Sequence, residues 1–516
     1  MKNPRTLGEL KESGYRPRTV KEELRENLRS ALRKGENPFP GIYGYDRTVL
    51  PALHNAVLSK HDLLLLGLRG QAKTRLLRSL VNLLDPEIPA ITGSEVNEDP
   101  FHPITKFGKR MLSEKGDDTP VTWIPRDERY REKLATPDVT IADLIGDIDP
   151  IKAATERRSY SDEEVIHFGI VPRTNRGIFA INELPDLQPR IQVGLLNILE
   201  ERDLQIRGFP VRIPLDIVLV FSANPEDYTN RGNIITPLKD RISSQILTHY
   251  PDDVKTAAKI TAQEAWLARE GEPRVEIPDV FRELIEEIAF AARGSEFVDQ
   301  SSGVSARMPI SAIEVLASNL ERRGLKNHED KVVPRLCDLP ATLPAITGKV
   351  EMVYEGEQQG AEVVAKKLIG AAVKKHFDAK FPAPDSGRPT QRRREEADEA
   401  SGLEDAGAPG RRARPAPEKI HPLYEPIAEW FGAGNRITLS DESPFSEHLA
   451  ALESVPGLRR AVEERFSPSS REELAIGMEL VLEGLVLHLK IAREDLDSKV
   501  SYMEMLKFNL LKSRTN

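Results

Sequence analysis

Cysteine is almost missing from this chain: Cys337 is the single one in 516 residues. One thiol excludes an internal disulfide and a metal site built from cysteines, and Cys337 itself reads as a small buried apolar residue. Long hydrophobic runs are also missing. No stretch approaches the roughly 20 apolar residues that span a bilayer. The opening residues, MKNPRTLGELKESGYRPRTVKEELRENL, have no apolar centre and so do not form a secretory signal. An excess of positive charge is missing too. The net charge of −9 gives no general affinity for nucleic acid or anionic lipid, so a nucleic-acid partner is not expected. These absences point to a cytoplasmic protein with no membrane span, and the length points to several domains.

What is present is organised in blocks. Residues 1–37 are charged and helix-prone and read as a short peripheral helical segment. From 38 to 250, apolar runs alternate with helical patterns, the signature of a parallel sheet with crossover helices. Its clearest strands are Leu63–Leu66, Gly177–Ile181 and Ile217–Ser222. Residues 251–377 read as a helical lid domain and its extension. Residues 378–419 are rich in Pro, Gly, Ala and charge, and are expected to be a disordered linker. Residues 420–516 return to helical periodicity, best in REELAIGMELVLEGLVLHLKIARED, and suggest a separate, small all-α C-terminal domain. The fold class expected is therefore α/β: a P-loop parallel-sheet core, a helical lid, a linker and a small all-α domain.

The most informative stretch is LLLLGLRGQAKTRL, residues 63–76. An apolar strand breaks at Gly67, passes Leu68, Arg69, Gly70, Gln71 and Ala72, reaches Lys73 and Thr74, and runs into a helix through Arg75. A strand, a glycine-containing loop, Lys-Thr and a helix form a phosphate cradle. Loop N–H groups hold phosphate oxygens, Lys73 adds a point charge and the Thr74 hydroxyl takes one Mg²⁺ position. Ala72 stands where glycine is usual.

GIFAINE, residues 177–183, is an apolar strand ending in Asn182 and Glu183, the form of a Walker B element. Glu183 would be the base, or the orienter, for an attacking water. Asn182 occupies the metal position usually held by Asp, and a neutral amide is a weaker ligand for a hard cation. Ile217–Ser222 leads to Ala223 and Asn224. A polar residue ending a strand between the two Walker strands binds the γ-phosphate or the attacking water; Asn224-Pro225 also fits a plain turn. In TPLKDRI, Arg241 ends a helix and would project into a neighbouring subunit's nucleotide site, with Arg231 as a rival. Arg307, in GVSARMPISAIEVL, opens a lid helix and suits a second arginine directed at the γ-phosphate.

The ordered set GLRGQAKT, GIFAINE, FSAN, LKDR and SARM resembles an AAA+ ATPase of the MoxR and magnesium-chelatase I-subunit branch. In MoxR-type loops GxxGxAKT is common, so Ala72 fits the branch. Asn175-Arg176-Gly177 fits the chelatase pattern before the Walker B strand, and PRIQVGLLNILEERDLQIRG resembles the MoxR segment that leads into a β-hairpin. The resemblance covers about residues 38–325. It implies ATP and Mg²⁺ as cofactors, a homo-oligomeric ring such as a hexamer, ATP bound between subunits, and a partner carrying a von Willebrand factor A domain. It implies a chaperone-like remodeller, and it leaves the client unnamed. Asn182 departs from the family Asp and implies slow hydrolysis. Alternatives are the magnesium chelatase motor subunit, a nucleotide-gated scaffold, and a σ54-dependent activator. The last lacks support, because no GAFTGA loop occurs between Asp147 and Gly177.

Overall fold

The computed structural model describes residues 3–155, 157–158, 162–205, 212–225, 233–385, 420–465, 467–496 and 499–505. The chain divides into two compact units. One holds residues 1–252 with the short segment 301–305; the other holds 253–300 with 306–516.

In the first unit α1 (Val20–Lys34) opens with a capping box. The Thr19 hydroxyl accepts the Glu22 N–H, and the Glu22 carboxylate accepts the Thr19 N–H. Helix α2 (Val49–Leu58) follows, then β1 (Leu63–Leu66), α3 (Lys73–Ser79), β2 (Tyr130–Leu134), β3 (Gly177–Asn182), α4 (Pro189–Glu200), β4 (Ile217–Ala223), α5 (Thr236–Arg241) and β5 (Ser244–Leu247). The five strands form one parallel sheet in the order β5-β1-β4-β3-β2.

The sheet explains why LLLL, GIFAI and IVLVF are continuous apolar runs. A parallel sheet covered by helices buries both faces of each strand. Leu64, Phe179, Ile181, Leu219 and Phe221 point to one core, where Ile191, Leu195 and Ile198 of α4 join them. Leu63, Leu65, Ile178, Ala180, Val218 and Val220 point to the other, with Leu24 and Leu28 of α1 and Leu53 of α2. Each large apolar side chain buried this way adds about 1.5–3 kcal/mol.

The N-terminal segment is not peripheral. Leu28 is fully buried, and Glu23 forms a buried two-pronged ion pair with Arg129 at 2.7 and 2.6 Å. Charged residues dominate its composition, and the narrow stripe Val20, Leu24, Leu28 that makes the contact is easily overlooked. Two antiparallel pairs flank β3 in sequence: Gly146–Ile148 with Ile166–Phe168, and Asp203–Gln205 with Arg212–Pro214. The second is the hairpin expected after α4.

The second unit contains α6 (Asp279–Arg293), α7 (Arg307–Asn327), α8 (Ala361–Lys380), β6 (Ile437–Ser440), α9 (Arg471–Leu487), β7 (Ala492–Leu496) and β8 (Lys499–Met503). Residues 420–505, expected to be a domain of their own, share this unit with the lid helices. Helix α9 packs on α8. Gly484 of α9 lies so close to the Phe377 ring of α8 that a β-carbon there would strike it.

The C-terminal region is largely helical, yet it also carries a three-stranded antiparallel sheet, β6-β8-β7, so all-α is too narrow a description. The helical pattern of the sequence continues through IARED, but α9 stops at Leu487. Leu489 takes a left-handed backbone, φ 57°, and residues 492–496 pair with β8 instead. Strand pairing, invisible in a single short segment, overrides the local pattern. Most of the expected linker, residues 386–419, lies outside the described residues. Among the described residues, no helix is long and apolar enough to cross a membrane.

Candidate functional site

Parallel strands bring their C-terminal ends to one edge of the sheet, the place where α/β sheets bind ligands. Here β4 lies between β1 and β3, with Leu66 opposite Ala223 and Ile181 opposite Phe221. The next residues along each strand are therefore neighbours: the 67–72 loop, Asn224, and Asn182 with Glu183.

The loop is tied down on its outer side. The Gly67 N–H bonds Ala223 O at 3.2 Å, the Thr248 hydroxyl donates to Gln71 Oε1 at 2.7 Å, and the Tyr250 hydroxyl donates to Arg69 O at 2.9 Å. The Tyr45 hydroxyl lies 2.9 Å from Gln71 O and 2.8 Å from His249 O. Leu68 packs against the segment 301–305 at Gly303. Gly70 and Ala72 both adopt left-handed backbone, φ 74° and φ 56°. That conformation costs an alanine about 1 kcal/mol relative to glycine. Ala72 keeps the geometry that glycine serves elsewhere.

Lys73 is buried, 7% exposed, and its ammonium donates to Gly67 O, to Leu68 O at 3.0 Å and to Asn224 Oδ1. Asn224 Nδ2 in turn donates to Glu183 Oε2 at 2.8 Å. A single amide thus joins the loop lysine to the carboxylate of the neighbouring strand end. Glu183 itself sits at φ 56°, ψ 51°, a strained conformation for a non-glycine residue. Such strain is held by its surroundings and clusters at functional sites.

The third contact concerns oxygen atoms. Thr74 Oγ1 lies 3.5 Å from Asn182 Oδ1, at the outer limit of a hydrogen bond. The Ser222 hydroxyl donates to Asn182 Oδ1 at 3.1 Å and accepts the Glu183 N–H at 3.3 Å. Ser222 orients both strand-end residues. In the motif FSAN the sequence singles out Asn224 alone; the one signal for Ser222 is a hydroxyl inside an otherwise apolar strand.

The residues thus fit a nucleotide and its cation. A buried ammonium faces a glycine-containing loop, and the atoms beside it are hard oxygens of the kind Mg²⁺ prefers. Lys73, Thr74, Asn182, Glu183 and Asn224 come together. Arg75 follows on α3, where its carbonyl accepts the Ser79 hydroxyl at 2.7 Å. Arg241 pairs with Glu200 of α4 at 2.7 Å. Arg307 opens α7 in the second unit. Arg231 lies outside the described residues.

Asn175-Arg176-Gly177 turns out to brace the sheet. Asn175 accepts the Asp216 N–H and donates to Val96 O, Arg176 donates to Pro89 O, and its own carbonyl receives Arg129.

Topology and site together define a P-loop nucleotide-binding core of the AAA+ class. Comparison with known proteins agrees. Residues 109–242 match a family described as the AAA domain of the dynein-related subfamily, a span that begins after the phosphate loop. The chain is 27% identical over 214 residues to the magnesium-chelatase subunit ChlI of Euglena gracilis, covering 40% of this chain and 56% of that protein. It therefore spans little more than half the length of that curated relative.

Among solved structures, the complex between subunits BchI and BchD of magnesium chelatase matches at 19% identity, covering 62% of this chain and 98% of the matched chain, with a TM-score of 0.32. A putative ATPase from Cytophaga hutchinsonii matches at 15%, covering 70% and 97%, with a TM-score of 0.28. Scores this low add nothing to the case made by topology. Residues 109–242 thus match an AAA domain, and the chain is similar to the magnesium-chelatase I-subunit type of AAA+ protein.

Proposed function

We propose that this protein binds ATP with Mg²⁺ at the β1–β4–β3 edge, hydrolyses it slowly, and uses the cycle to remodel a protein or a metal-cofactor assembly. The observation that supports this best is the Lys73–Asn224–Glu183 chain of contacts. ATP supplies a γ-phosphoryl group whose transfer to water is the energy-yielding step. Lys73 exchanges its loop carbonyls for phosphate oxygens. Asn224 keeps the lysine and the carboxylate in register. Glu183 orients the attacking water. Thr74 and Asn182 hold the cation through oxygen, and the neutral Asn182 amide makes that grip weaker than a carboxylate would.

Arg241 acts on a neighbouring copy in a ring such as a hexamer. Its pair with Glu200 is partly exposed on both sides, so parting it costs only about 0–1 kcal/mol. Arg307 serves as the second arginine. A protein with a von Willebrand factor A domain is the proposed partner, in line with the resemblance to the MoxR branch. A second reading, a nucleotide-gated scaffold, is favoured by Asn182 alone.

The test uses the full chain. Glu183→Gln should leave ATP·Mg²⁺ binding intact, lower steady-state hydrolysis about 100-fold or more, and hold a ring that light scattering detects. Hydrolysis equal to wild type would remove Glu183 from the reaction.

A further inference from the structure

A second chemical centre lies wholly within the second unit, in residues the nucleotide cycle does not use. Cys337 stands at the start of the 3₁₀ turn Leu336–Thr342, His448 in the helix Phe445–Glu453, and Glu479 in α9. Their ligand atoms all lie within 4.8 Å of one another. All three are buried: Cys337 is 7% exposed, His448 1% and Glu479 0%.

Glu479 is oriented by the chain itself, accepting the N–H groups of Leu336 at 2.8 Å and Cys337 at 3.3 Å. Those two bonds leave further lone pairs on its oxygens. His448 is different. Neither ring nitrogen has a hydrogen-bond partner, and Nε2 stops 3.6 Å from Glu479 Oε1. A buried imidazole with no hydrogen bond on Nδ1 and only a 3.6 Å ion-pair contact on Nε2 is costly and calls for an explanation.

We propose that Cys337, His448 and Glu479 form a three-ligand site for a divalent transition metal of the Zn²⁺ class. Thiolate, imidazole and carboxylate are the donors such an ion takes, and a thiolate disfavours Mg²⁺ or Ca²⁺. Tetrahedral Zn²⁺ bond lengths imply ligand separations of roughly 3.3–3.6 Å. The three side chains therefore need to close by only about 1–1.5 Å at most. Charge closes as well. A dication with one thiolate, one carboxylate and a neutral imidazole is neutral overall, which is what a buried site requires. On binding, the Cys337 proton leaves to solvent.

Cys337 also lines a cavity of about 430 Å³, shared with Lys366, Glu483, Arg493 and Asp495. The cavity reaches the site at Cys337, the one of the three ligands that lines it. Counting cysteines excludes a site made of several; a mixed site needs only one.

The single cysteine makes the test specific. Chelator-treated full-length protein is titrated with Co²⁺. About one equivalent should bind and produce a thiolate-to-cobalt charge-transfer band, which no other residue of this chain can give. Zn²⁺ should then displace the cobalt and remove the band. Cys337→Ser should abolish the band, and His448→Ala should weaken Co²⁺ binding at least about 10-fold. Absence of the band in folded wild-type protein overturns the proposal, and His448 and Glu479 are then a buried polar pair only. Unchanged Co²⁺ binding and spectrum in Cys337→Ser overturns it equally. The wild-type titration decides the matter even where a variant fails to fold.

Discussion

Charge is buried in two opposite ways: among half-buried partners at the sheet edge of the first unit, and sealed at Glu23–Arg129 in that unit and at Arg323–Asp338 in the second. At the sheet edge, Lys73 is held by two backbone carbonyls and one amide, while Thr74, Asn182, Glu183 and Asn224 remain half-buried around it. In the second unit Arg323 and Asp338 are sealed, with side chains 2% and 0% exposed. Arg323 donates to both carboxylate oxygens of Asp338 at 2.7 and 2.6 Å and to Val333 O at 2.7 Å, and Asp338 also accepts the Arg335 N–H at 2.8 Å. Glu483, one turn after Glu479 on α9, is likewise closed in by Arg493 and Tyr502. The first arrangement is poised for a ligand; the second locks segments together. Exposure of the partners, rather than the number of charges, separates the two.

The comparison breaks most severely at Asp338. Asp338→Ala leaves the Arg323 guanidinium buried and unpaired, and should cost about 3–5 kcal/mol in denaturant unfolding. A loss below about 1 kcal/mol would mean the pair is not sealed. Lys73→Ala should barely change stability, yet should weaken ATP binding by about 10- to 100-fold, or about 1.5–3 kcal/mol, as expected for losing a charged hydrogen-bond donor. Calorimetric titration reads this directly, and unchanged affinity would remove the phosphate cradle.

Glu286 sharpens the contrast through pH. It is buried on α6 beside the Thr261 hydroxyl, and desolvation pushes its carboxyl up to about 7. A carboxyl raised in the folded state binds its proton more tightly folded than unfolded. Stability from this group is therefore greatest below its ordinary value near 4.5 and falls as pH rises toward 7. Glu286→Gln should raise stability by about 1–2 kcal/mol at about pH 8 and leave it unchanged at about pH 4. Thermal unfolding at the two pH values reads the difference; equal effects at both would contradict the shift. The smallest effect is expected at Asn182. Asn182→Asp adds a charged oxygen beside Thr74 and should raise Mg²⁺-dependent turnover by a few-fold, within about 1 kcal/mol of barrier. A flat response would show that the missing carboxylate does not limit the rate.

Much of the first unit is legible along the chain. LLLL, GIFAI and IVLVF can be read as strands because a parallel sheet buries both faces and leaves an unbroken apolar run. Lys73, Thr74, Asn182, Glu183 and Asn224 can be read because each follows such a run closely. Ser222 escapes notice because a hydroxyl inside a strand carries no local signal until a neighbouring strand supplies Asn182. The bracing role of Arg176 is hidden for the same reason, since its partners Pro89 and Arg129 are far away in sequence. In the second unit the segment that becomes β7 carries a helical pattern, and nothing local marks Glu479 and Glu483 of α9 as buried.

The sequence alone therefore determined three of the five sheet strands, the phosphate loop with its unusual Ala72, and the neutral residue at Asn182, because these depend on periodicity and on neighbours a few residues apart. Only the tertiary structure decided that Asn224 bridges Lys73 and Glu183, that the helix Val20–Lys34 is core, and that Cys337 comes within 4.8 Å of His448 and Glu479. Those contacts join residues distant in sequence, and no local pattern specifies which far-off side chains will meet once the chain is packed.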